Sequence, residues 1–218
     1  MSTSAAQPQA TPDPDAALAD VLRVLGEQEV EHGRDSPKLI PILQSLCAVR
    51  QQRGDRQGVL EAAQRMHAIV EQAAGAVHPA TVTHVNNVAS VLKSVGRRAE
   101  ALVWFQRAVA DGEKALRPDH PILATFLNNV AIMRQEDGEL AEARRLFERA
   151  VAIDEGNYGP HHTSVGRDHH RLALVLRQMG EAEAARGHLH RAADAFAGSV
   201  GEEHEFTRNV RRLLGEDG

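Results

Sequence analysis

A chain of 218 residues with 42% hydrophobic content can bury a substantial core, and an aromatic content of 3% beside abundant alanine and leucine suits close helix packing rather than strands. The formal charge of −5 resides in residues 1–35, where Asp13, Asp15, Asp20, Glu27, Glu29, Glu31 and Asp35 face only Arg23 and Arg34, so no basic stripe invites nucleic acid or an anionic membrane. The single cysteine, Cys47, excludes an internal disulfide, and no apolar run approaches the roughly 20 residues of a bilayer span, so a cytoplasmic protein without membrane contact is expected.

Residues 1–14, rich in Pro, Gln, Ser and Ala, lack the positive and apolar regions of a signal peptide and read as a disordered tail. Beyond them one phrase recurs. His120–Ala131 reads HPILATFLNNVA; the chain carries HPATVTHVNNVA from His78 and a third version from His162, ending in Arg171-Leu172-Ala173. The interval is 42 residues each time and continues to His204. A fixed period of this length is the mark of a repeat architecture.

With Ser36, His78, His120, His162 and His204 as origins, four repeats span residues 36–77, 78–119, 120–161 and 162–203. Pro37, Pro79 and Pro121 begin each first helix, where a missing N–H costs little, and Thr163 takes that place in the fourth unit. Gly54, Gly96, Gly138 and Gly180 mark a hinge in every unit. Inner helices are expected near 37–53, 79–95, 121–136 and 163–178, and outer helices near 55–74, 97–115, 139–156 and 181–197. Large-small pairs such as Val88-Ala89 and Val130-Ala131 pack the inner helices, and faces such as Ala101, Phe105 and Ala108 pack the outer ones. Half units close the ends. Residues 15–33 match an outer helix through Ala17, Val21 and Val24, and residues 204–215 match an inner helix through Leu214, with Arg208, Arg211 and Arg212 leaving one side solvated.

These residues carry a resemblance to the tetratricopeptide repeat: a large-small pair, a hinge glycine, and alanine–aromatic–alanine spacing on the second helix. The 42-residue unit, Asn-Asn-Val-Ala, Glu-Arg-Ala-Val-Ala-Ile at 148–153 and the Gly-Pro-His and Pro-Asp-His linkers resemble the kinesin light chain subtype. The resemblance covers roughly residues 15–215. It implies an all-α, right-handed superhelical solenoid of antiparallel helix pairs, about four full repeats plus a half repeat at each end, whose inner helices line a concave groove.

The same resemblance maps the groove onto Asn86, Asn87 and Lys93 of the second unit, Asn128, Asn129 and Gln135 of the third, and Arg167, His170, Arg171 and Arg177 of the fourth. An asparagine amide can pair with both N–H and C=O of an extended backbone, so Asn87 and Asn129 either hold a peptide in register or tie each inner helix to its neighbour. Arg167 and Arg171 lie one turn apart. They offer planar forks to an acidic side chain or a C-terminal carboxylate, resembling half of a carboxylate clamp, or else pair with nearby acids such as Asp168.

The expected function is a non-catalytic adaptor for a protein or peptide partner, with the chain a monomer or part of a hetero-complex. The alternative is a regulatory or structural subunit that docks by its convex face or ends on an enzyme such as a caspase-like peptidase or a signalling ATPase. Such pairings are a feature of bacterial repeats of this subtype, and the Ala- and Arg-rich composition resembles that of a bacterial chain. No phosphate loop, zincin helix or nucleophile elbow is present, and Cys47 fills the small slot that alanine fills in the other units. No cofactor is expected. Nor is a metal, since His162 continues the series of unit origins and His169 and His170 point about 100° apart on one helix.

Overall fold

The computed structural model describes residues 13–215, and every regular element among them is helical. The expected tail lies outside these residues except for Asp13 and Pro14, which instead open the first helix. The Asp13 carboxylate accepts the Asp15 N–H at 3.0 Å, and Pro14 occupies the first turn. In chain order the helices are α1 (Pro14–His32), α2 (Ile40–Gln52), α3 (Arg56–Ala74), α4 (Pro79–Ser94), α5 (Arg98–Ala115), α6 (Pro121–Glu136), α7 (Leu140–Tyr158), α8 (Thr163–Gln178), α9 (Ala182–Val200) and α10 (Glu205–Leu214). Inner helices α2, α4, α6 and α8 each pair with the outer helix that follows, and successive pairs stack into a solenoid.

The hinges follow from glycine. Gly54, Gly96, Gly138 and Gly180 have φ of 71°, 84°, 79° and 81°, a left-handed conformation costly for any residue with a Cβ. The next N–H then turns back onto the inner helix, as Arg97 does to Leu92 O and Glu139 to Arg134 O, both at 2.9 Å.

The other ends show two departures from the expected boundaries. Helices α7 and α9 run past 156 and 197 because they continue until Gly159 and Gly201 accept a positive φ. Helix α2 starts late. Pro41 lacks the N–H that would bond four residues back, so Pro37–Leu39 closes as a 3-10 turn ahead of the α-helix.

Each unit origin is a helix cap. The Nδ1 atoms of His78, His120, His162 and His204 accept the N–H two residues on, each at 3.2 Å, and Ser36 Oγ does so for Lys38 at 3.4 Å. The core follows the repeat. Ala101, Phe105 and Ala108 on α5 and Ala143, Phe147 and Ala150 on α7 are all buried, continuous with Val88, Val130 and Leu172 on the inner helices. Burying one Phe or Leu fully contributes about 1.5–3 kcal/mol. A second cluster around Leu25, Leu39, Leu43 and Ile69 joins α1, α2 and α3.

Consecutive outer helices are also pinned by ion pairs at equivalent positions: Glu29 with Arg65 at 2.6 Å, Glu71 with Arg107 at 2.5 Å and Glu113 with Arg149 at 2.8 Å.

Candidate binding face on the inner helices

The inner helices carry a second ladder. Asn129 donates to Asn86 Oδ1 at 2.8 Å, Asn128 donates to Asp168 Oδ1 at 2.8 Å, Lys93 pairs with Glu136 at 2.8 Å and Gln135 donates to Gln178 at 3.1 Å. Each bond joins one unit to the next. Six of the ten sequence-derived candidates, Asn86, Asn128, Asn129, Lys93, Gln135 and Arg167, thus have a protein partner, that of Arg167 being Ser164 Oγ on its own helix at 3.2 Å. The side chains of Asn87, His170, Arg171 and Arg177 form no hydrogen bond or ion pair with a described residue. Asn87 and Arg177 are exposed, His170 and Arg171 half-buried.

Asn128, Asn129, Arg167 and Arg171 converge on a cavity of about 220 Å³ between α6, α7 and α8, which Asp154 and Tyr158 complete from the outer helix. Tyr158 stands at the rim, its ring stacked on His162 at 4.3 Å. Asn87, Lys93 and Arg177 lie outside this cavity. Spacing does not separate Asn128 from Asn129, yet Asn128 is buried in the wall and Asn129 is half-exposed.

Behind the cavity is an acid pair. Asp154 and Asp168 lie close enough that each alters the ionisation of the other. Burial and the Asp154 charge push Asp168 up to about 7, against the pull of Asn128, Arg171 and Arg167. Burial likewise raises Asp154, opposed by Asp168, Arg167 and His162. Asn128 Oδ1, Asp154 Oδ1 and Asp168 Oδ2 are buried and accept no hydrogen bond from a described residue. For Arg171, burial pulls the guanidinium below its ordinary value, with Asp168 opposing and Arg167 adding. The charges of Arg171 and Asp168 interact, but the hydrogen bond to the Asp168 carboxylate comes from Asn128.

Away from the cavity, His169 is buried between Glu155, 2.9 Å from its Nε2, and His188, 3.0 Å from its Nδ1. Burial lowers both imidazoles, with Glu155 opposing at His169 and His169 itself adding at His188. Sequence spacing gave no sign of this chain, which crosses three helices. Cys47 is half-buried, its thiol raised by burial and directed at Val59 O. Among the described residues no group of three or more His, Cys, Asp or Glu could hold a metal, and no helix is long and apolar enough to cross a membrane.

Stacked antiparallel helix pairs with a polar ladder on the inner helices define a helical-repeat solenoid. Residues 80–156 and 122–186 match the pattern of the tetratricopeptide repeat family. Residues 80–186 are tetratricopeptide repeats. Among solved structures it is similar to kinesin light chain TPR-like repeats from Podospora anserina, with 23% identity, a TM-score of 0.68, and 84% of this chain and 87% of that one covered. It is also similar to BtubC (BKLC) from P. vanneervenii, with 14% identity, a TM-score of 0.78, and 94% and 86% covered. A Rap protein complexed with Competence and Sporulation Factor shares the fold at 16% identity and a TM-score of 0.67, with 92% of this chain and 54% of that one covered. No curated protein sequence matches alongside these structural likenesses.

Proposed function

We propose that the chain is a non-catalytic adaptor that holds a peptide segment of a protein partner along its inner-helix groove, with a carboxylate of that segment on Arg171 and Arg167. The observation that carries this reading is Arg171 itself. Its guanidinium is half-buried at the cavity without a bonded acceptor among the described residues, one helical turn from Arg167. A partly desolvated donor without an acceptor is costly, and a ligand carboxylate would supply two acceptor oxygens to the fork.

The exposed amide of Asn87, two units away, extends the same surface and offers backbone-directed bonds without side-chain selectivity. That a Rap protein of similar fold is complexed with a factor supports a bound segment as something this architecture accommodates.

The test is selection of displayed random peptides on the folded chain, followed by titration of the enriched sequences in free-acid and amidated form. The expected binders carry Asp, Glu or a free C-terminus. A variant with Asn87→Ala, Arg167→Ala and Arg171→Ala should bind them at least about tenfold more weakly, the scale of one charged hydrogen bond. Binders that hold equally well to the variant would place recognition elsewhere.

A further inference from the structure

The two ends of the stack are complementary halves. Helix α1 is an outer helix whose inner-helix side is covered by no described helix, and α10 is an inner helix without a described outer partner. In complete units the outer-helix positions of Ala17, Val21 and Val24 are filled by Ala101, Phe105 and Ala108 or Ala143, Phe147 and Ala150, all buried. In α1 they are only half-buried. In α10, Leu214 is half-buried where Val88, Val130 and Leu172 are buried, and Leu213 is 41% exposed at the rim of a cavity of about 210 Å³ shared with Ala185 and Leu189.

Charge fits the same register. Seven residues past each origin the complete units bury Leu43, Val85, Leu127 and His169, but α10 has Arg211 there. Twenty-six residues past the origin, the complete units carry Ala62, Trp104, Leu146 and His188, and α1 has Asp20. These two positions touch within a unit, since His169 and His188 lie 3.0 Å apart. The register therefore sets Arg211 of one half unit opposite Asp20 of the other. Glu27, two turns along α1, and Arg208, one turn back on α10, extend the pairing of an acidic face with a basic one. A solvating cap needs only polar residues of either sign. Opposite signs at mating positions fit a partner.

We propose that the α1 face of one copy docks on the α10 face of another, so that the two half units complete a helix pair and copies add head to tail. Arg211 now pairs with Glu202 at 2.5 Å, and Asp20 and Glu27 flank Arg23, all at exposed sites where partners exchange readily. Because the mating surfaces differ, the contact is heterologous and the assembly is open or a ring rather than a two-fold dimer.

Sedimentation velocity of the full chain over a concentration series tests this. The wild-type chain should grow past two copies as concentration rises, and less so in high salt. Asp20→Arg chains alone and Arg211→Asp chains alone should sediment as monomers with unchanged helical circular dichroism. Mixed together they should associate again, because the reversed charges then alternate along the row. A wild-type chain that stays monomeric, association that stops at a dimer, or a mixture that stays monomeric would overturn the proposal.

Discussion

At the scale of single residues, the informative group is the Asp168 carboxyl, raised by burial and by the charge of Asp154. Folded, Asp168 holds its proton up to about pH 7, whereas an unfolded aspartate loses it near 3.8. The folded chain binds more protons across that window, so this contribution to stability is present at low pH and lost as pH rises through 7. Asp168→Asn keeps an acceptor for Asn128 and removes the ionisable group. In urea titrations the variant should match the wild type near pH 4 and exceed it near pH 8 by on the order of 2–4 kcal/mol. An advantage of the same size at both values would take the proton out of the account. This site is the least legible part of the sequence. Asn128 and Asn129 share one motif, and what separates them is Asp168 on the next inner helix and Asp154 on an outer one. No local pattern brings those residues together, and burial of a carboxyl pair depends on how two units pack.

At the scale of elements, the period of the chain made nearly every helix legible, because a Ser or His cap precedes each inner helix and a glycine follows every helix except α5. The exceptions have local causes: the missing N–H of Pro41 and the later stop at Gly159 and Gly201. The histidines read as markers of unit origins, while their chemistry as caps emerges only with the side chains in place. Each uses an Nδ1 lone pair in the manner of Ser36 Oγ. His120→Ala should therefore lower stability by about 1 kcal/mol, the usual worth of an N-cap, and His120→Ser or His120→Asn should restore most of it. Thermal melts of the three variants separate capping from packing. If alanine and serine destabilise alike, the imidazole ring rather than its lone pair is what matters.

At the scale of the whole molecule, two ladders run along the stack on opposite sides, the outer from α1 to α7 and the inner from α4 to α8. The Glu–Arg rungs join outer helices through side chains that remain partly exposed, and such pairs weaken as salt rises. The inner rungs are mostly amides, which salt leaves alone, apart from Lys93 with Glu136. Raising ionic strength therefore acts mainly on the outer side of the stack, letting outer helices spread and bending the chain toward its inner face. Small-angle scattering should show a smaller radius of gyration in high salt and none of that change in an uncharged osmolyte. Equal radii in both would leave the outer rungs without a geometric role. The solenoid then behaves as a leaf spring with a rein along each edge, and mainly the outer rein slackens with ions. Its curvature, and with it the width of the groove offered to a guest, becomes an adjustable dimension that no single helix pair possesses.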